Sequence, residues 1–211
     1  SQINERANLG FAELLSTVLR HSPDVIMIGE IRDSRTAATA IRAGASGQLV
    51  LSTIHARSAA EAIDSMLHYG VDPKAISQAL LGAISQRLVG KICPECGEKA
   101  SEQSPEIDER VANRLGDQSA ELWKTIGCDA CFGHGFSKMT CVPEILSINR
   151  SLKDVIASGS TAVALEDAAR NSGMLCMAES LAARVYRGET TAHEAHRVIP
   201  APQFARLRVN A

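Results

Sequence analysis

The sequence predicts an α/β fold organised around a parallel sheet, and three observations carry that expectation. Two aliphatic runs, "VIMI" at 25–28 and the "LVL" of "GQLVLSTIH" at 47–55, read as strands buried on both faces. Each is followed by a helical pattern with its own start and stop signals. Each also ends in polar residues: Glu30, Arg32 and Asp33 after the first, Ser52, Thr53 and His55 in the second. Ligands of such sheets bind beyond the carboxyl ends of the strands, so Glu30 and His55 are placed to face one crevice.

The elements follow in order. "FAELLSTVLRH" sets Phe11, Leu14, Leu15, Val18 and Leu19 on one helical stripe, closed by Pro23. After the first strand, Asp33 or Ser34 can cap "DSRTAATAIRAG", with Gly44 as its stop. Ser58 and Glu61 form a capping-box pattern for "SAAEAIDSMLHYG", which Gly70 ends. Asp72 and Pro73 open another helix, in which Ile76, Leu80, Ile84 and Leu88 recur every four residues. From about residue 132 onward the pattern reads as helical, with turn signals near "ASGSTA" and "RGETTAHEA". There Thr190 or Thr191 is the expected N-cap ahead of Glu194, and the Leu and Met positions between 165 and 185 are expected core. His193 and His196 lie three apart with no third ligand in view, so a solvated helix face is expected rather than a metal site.

Composition narrows the function classes. The 211 residues are 45% hydrophobic and 22% charged with a net charge of -2, so nothing points to a nucleic-acid partner. Aromatics are only 3%, which also argues against base stacking. No apolar run approaches the roughly 20 residues of a membrane span, and no secretory signal is evident. Membrane association is therefore expected only through partner proteins.

Four of the six cysteines form two pairs, "CPEC" at 93–96 and "CDAC" at 128–131. Each C-x-x-C turn aims two thiolates at one point, and two such turns close a tetrahedral four-sulfur site suited to structural Zn²⁺. Iron and unliganded cysteine pairs are the competing readings. Cys93, Cys96, Cys128 and Cys131 are thus the expected metal ligands, while Cys141 and Cys176 read as small core residues. Three regions result: 1–92, the β/α part; 93–131, the cysteine module; and 132–211, a helical domain.

An apolar strand ending in an acid is one half of a nucleoside-triphosphate site, where the acid orients a water or holds Mg²⁺. The alternative is a helix-entry charge paired with Arg32 or Arg35. Here "LRHSPDVIMIGEIRD", "AGASGQLVLSTIHA", "ISQRLVGKICPEC", "GCDACFGHGF" and "RGETTAHEAHRV" together resemble the ATPases of type II secretion and type IV pilus assembly. The resemblance covers nearly the whole chain. It implies part of a RecA-like P-loop NTPase core, a tetracysteine zinc module and a small helical domain, within a hexameric ring that hydrolyses ATP with Mg²⁺. It also implies a cytoplasmic location, docked on an inner-membrane platform and cytoplasmic adaptor proteins.

Carried onto this sequence, the resemblance makes Glu30 the catalytic glutamate of an atypical Walker B segment and His55 the histidine of the His box. Arg20 becomes a phosphate-stabilising arginine, and Arg32 and Asp33 belong to the "GEIRD" signature. The tetracysteine module implies a machine that builds or exports rather than a retraction motor. Departures stand at Gln48, usually His; at Ser16, usually Arg; at Ser22, often Asp; and in "HARS" where "HTND" is usual. No G-x-x-x-x-G-K-[ST] loop occurs in the 211 residues, so this polypeptide by itself is expected neither to bind ATP tightly nor to hydrolyse it. A non-catalytic, zinc-containing assembly subunit that binds ATPase-family partners is the alternative.

Overall fold

The computed structural model describes residues 11–100 and 122–199; the side chains of 11–13, and with them Phe11 of the expected stripe, lie outside the description. Most of the polar stretch between the cysteine pairs also lies outside it. Two compact units emerge, one from residues up to Ile84 plus Ile145–Met174, the other from Ser85–Glu144 plus the residues after Met174.

In the first unit, α1 (Phe11–Leu19) precedes β1 (Val25–Ile31), α2 (Ser34–Ala45), β2 (Leu49–Ile54), α3 (Ala59–His68) and α4 (Pro73–Ala79). The caps follow the sequence signals. Asp33 accepts from the Thr36 backbone at 2.8 Å, Ser58 from Glu61, and Asp72 from Ala75. The Glu61 carboxylate reaches the Arg57 N–H rather than that of the cap residue, so only half of the capping box forms. Helix α2 runs past Gly44 and stops at Gly47, whose φ of +101° admits no ordinary side chain without strain.

β1 and β2 pair in parallel, as the alternation requires, but they are not buried on both faces. Ile26, Ile28 and Ile31 enter the core, while Val25 and Met27 are exposed, and across the register Leu49 and Leu51 are exposed opposite them. The strand pair therefore has one core face and one open face. Behind it Ile63, Ile76, Leu152, Ile156 and Leu165 close the core, with α4 packed on α5 (Arg150–Ala157) and α3 on α6 (Ala162–Asn171).

The helix expected through Leu88 ends at Ala79. Residues 82–92 are instead a strand, β3 (Gly82–Ile92), which pairs with β6 (Phe136–Ser147). That second strand falls where a helical pattern was expected, so the helical part of the C-terminal third begins only at Arg150. A spacing of four satisfies a strand's period of two as well as a helical turn. Ile84 and Leu88 indeed share one face of β3, the exposed one, while Ser85 and Val89 are buried.

In the second unit, β4 (Gly97–Lys99) and β5 (Trp123–Thr125) form an antiparallel pair beside the cysteines. Val89, Val142, Leu181 and Val185 make a small core with α7 (Met177–Tyr186) and α8 (Ala192–Val198). Thr191 caps α8, and its neighbours grip β3. The Thr190 hydroxyl donates to the Gly90 carbonyl at 2.8 Å, and Glu194 accepts the Gly90 N–H at 2.8 Å. A Cβ at Gly90 would lie 2.7 Å from the Phe136 ring, so glycine is needed there for closeness of approach. Cys176 is buried as expected, whereas Cys141 is exposed on β6 because the strand phase turns it outward.

Candidate functional site

The acid and the histidine meet. His55 Nε2 lies 3.2 Å from Glu30 Oε2, and Arg32 Nη2 lies 2.5 Å from Glu30 Oε1. Adjacent parallel strands that end at the same level bring together residues 25 positions apart in sequence. A β-bulge completes the arrangement. Ile28 pairs with Ser52 but Ile31 pairs with Ile54, so β1 has one residue more than β2 over this stretch. Strict alternation after Ile26 and Ile28 would send residue 30 into the core. The extra residue gives that place to Ile31 and leaves the Glu30 side chain one-third exposed.

The Arg32 guanidinium, bonded to Glu30, holds its carboxyl below the usual glutamate range, and the nearby imidazole of His55 acts in the same direction. The carboxylate is thus ionised at neutral pH and acts as an acceptor only. Asp33 is turned away from this cluster. Both its oxygens serve Thr36, backbone and hydroxyl, and the backbone bond depresses its carboxyl as well. Arg20 lies on the exposed turn after α1 and is not among the partners of Glu30. Gln48 keeps its Oε1 buried without a hydrogen-bond partner.

The four cysteines converge. Their sulfurs all lie within 4.8 Å of one another, with 3.9 Å between Cys93 and Cys128, 3.8 Å between Cys96 and Cys131, and 3.7 Å between Cys128 and Cys131. A tetrahedron with metal–sulfur bonds of about 2.3 Å has edges of about 3.8 Å, so the donor set fits a tetrahedral metal ion. Burial pushes the Cys96 thiol up to about 12. Burial acts the same way on Cys131, but N–H groups of Cys128 and Gly135 donate to its sulfur at 3.2 and 3.1 Å and bring it down to about 6. These two N–H donors favour a thiolate at Cys131. Gly127, at φ +82°, lets the second knuckle fold on itself, since a Cβ there would press on the Gly133 carbonyl. His134 is exposed and outside this cluster, and His193 and His196 lie on an exposed helix face.

The type II/IV secretion system protein family model matches residues 1–197. This chain belongs to that family. It is 36% identical over 92% of its length to the type IV pilus assembly ATPase PilB of Thermus thermophilus, of which it spans 22%. It is 38% identical to the protein transport protein HofB homolog of Escherichia coli over 96% of its length, spanning 42% of that protein. The type II secretion system protein HxcR of Pseudomonas aeruginosa is 35% identical over 93% of the chain, which spans 38% of it. Among solved structures, the pilus retraction motor PilT with bound ADP matches at a TM-score of 0.63 and 25% identity, covering 92% of this chain and 45% of that one. The Legionella pneumophila ATPase DotB matches at 0.60 and 17% identity over 89% of this chain and 42% of that one, a likeness of fold alone. The chain thus spans less than half the length of each of these relatives.

Two features were not read from the sequence. One is the bulge, whose signal is a glycine next to the acid at a strand end. The other is the Thr53 hydroxyl, which donates to the Gly29 carbonyl at 2.7 Å, across the two strands.

Proposed function

We propose that this chain is part of a RecA-like ATPase that drives type II protein secretion or type IV pilus assembly, with Glu30 as its catalytic glutamate. The observation that carries this reading is the Glu30–His55 contact at the carboxyl ends of two parallel strands. A carboxylate kept ionised by Arg32 is a weak base but a steady acceptor. In phosphoryl transfer, where the transition state is loose, orienting the attacking water is the larger need. Glu30 orients that water, His55 stands at the γ-phosphate side, and Arg20 and Arg32 supply positive charge. Asp33 contributes through the helix it caps. Mg²⁺, where bound with ATP, neutralises the phosphate oxygens.

The phosphate-cradling loop is not in these residues, so the 211-residue polypeptide alone does not turn over ATP. The working assembly is a hexameric ring, cytoplasmic and held at the inner membrane by a platform protein and adaptor proteins. In keeping with this, no helix among the described residues is long and apolar enough to cross a membrane. Residues 1–92 act as the ATPase part, 93–131 as the zinc module and 132–211 as the C-terminal part, helical between Arg150 and Val198. Zn²⁺ is the ion for Cys93, Cys96, Cys128 and Cys131, because four thiolates at tetrahedral spacing, three of them buried, leave no open position for chemistry.

ATP hydrolysis by the full-length gene product, compared with its Glu30→Gln variant, tests the reading. The expected result is a loss in kcat of about 10²-fold or more. Undiminished hydrolysis in the variant sinks it.

A further inference from the structure

Glu30 stands where it does only because β1 slips by one residue between Ile28 and Ile31, and such a slip has to be held. Residues two apart on a strand point the same way, so Leu51 and Thr53 share one face of β2, and His55 comes directly after its last residue, Ile54. The carboxyl end of β2 does two things. Thr53 Oγ1 donates to the Gly29 carbonyl at 2.7 Å, and two residues on, His55 Nε2 meets Glu30 Oε2 at 3.2 Å. Gly29 is the residue directly before Glu30, and space for 4 Å around the site of its missing Cβ is open. No side chain of its own braces it, and the grip comes from across the strands.

We propose that Thr53 is a positioning residue for Glu30: its hydroxyl, bonded to the Gly29 carbonyl, holds the bulge that turns the carboxylate toward His55. This rests on the reading of Glu30 and His55 as the reacting pair. Thr53 itself touches no substrate in the proposal. Without the hydroxyl, the Gly29 carbonyl turns to water, the bulge is free to migrate along β1, and the carboxylate and imidazole part.

The test is a pH titration of the ¹³C-labelled 211-residue chain, following the Glu30 carboxyl carbon by NMR. With His55 in contact, the Glu30 carbon shows its own titration and a second inflection when the imidazole ionises; His55→Gln identifies that inflection by removing it. Thr53→Val is expected to abolish the second inflection with the remaining amide spectrum intact, and Thr53→Ser to retain it. Thr53→Ala serves where the valine variant does not fold, with the same loss expected. Retention of the inflection in Thr53→Val or Thr53→Ala overturns the proposal. So does its loss in Thr53→Ser, or its absence from the unsubstituted chain. The readout involves no ATP, so failure of the ATPase reading shows up separately in the hydrolysis of the Glu30→Gln gene product.

Discussion

Arg32 and His55 flank the Glu30 carboxylate from opposite partners of the strand pair, one bonding each oxygen, at 2.5 and 3.2 Å. Arg32 is the stronger influence on its ionisation. Because the folded carboxyl is depressed, the charged form persists as pH falls, and it is lost only below the ordinary glutamate range. In the full-length gene product, Arg32→Ala therefore raises the Glu30 pKa and moves the acid limb of the kcat profile to higher pH. A limb that stays in place shows that another group controls it.

Metal content gives a second expectation. The purified chain carries one zinc per polypeptide by elemental analysis, and Cys93→Ser loses most of it. Chelation at neutral pH lowers the thermal midpoint, because ligand binding free energy in such knots is folding free energy. Acid does the same, since protons compete for the four thiolates. Full retention of stability after the zinc is stripped excludes a structural role.

The cap of α2 is separable from the chemistry. Asp33→Ala removes an acceptor for the Thr36 N–H and is expected to cost about 1 kcal/mol in denaturant unfolding. Asp33 is depressed in the folded chain, so its contribution is complete above the unfolded value of about 3.9. It fades as pH falls through the folded one. The difference between wild type and variant should accordingly shrink toward low pH.

Glu194 is a sharper case, because its bond to the Gly90 N–H is buried. Glu194→Ala strands that donor and is expected to cost about 1–3 kcal/mol. Glu194→Gln keeps an acceptor and gives up the ion pair with Arg197, so it should cost less. The Arg197 guanidinium depresses the Glu194 carboxyl, so this stabilisation too is present above the ordinary range and declines in acid. Equal losses in the two variants would assign the effect to charge rather than to the buried N–H.

Much of the first unit was legible because its signals are local. Asp33, Ser58 and Asp72 cap the helices whose starts they mark, as Thr191 does in the second unit. The pairing of β1 with β2, and with it the meeting of Glu30 and His55, followed from alternation alone. The errors share a cause. Ile84 and Leu88 fit two periods at once, and "LLG" at 80–82 together with Gly90 was the quieter sign that the helix had stopped. Likewise "FSKMTCVPEILS" contains Pro143, which argues against an inner strand, yet the burial of Val142, Glu144 and Leu146 alternates as a strand must. Val25 and Met27 looked doubly buried because an aliphatic run does not say how many layers cover it.

The bulge at Gly29 turns chain length itself into a setting. Side chains on a strand have only two orientations, so one residue more or fewer exchanges them wholesale. Deleting Gly29 would remove the extra residue, and strict alternation from Ile28 would then keep the acid facing outward and Ile31 facing the core with no bulge at all. Of the single-codon deletions in β1 that spare the acid, that of Gly29 should therefore be the best tolerated.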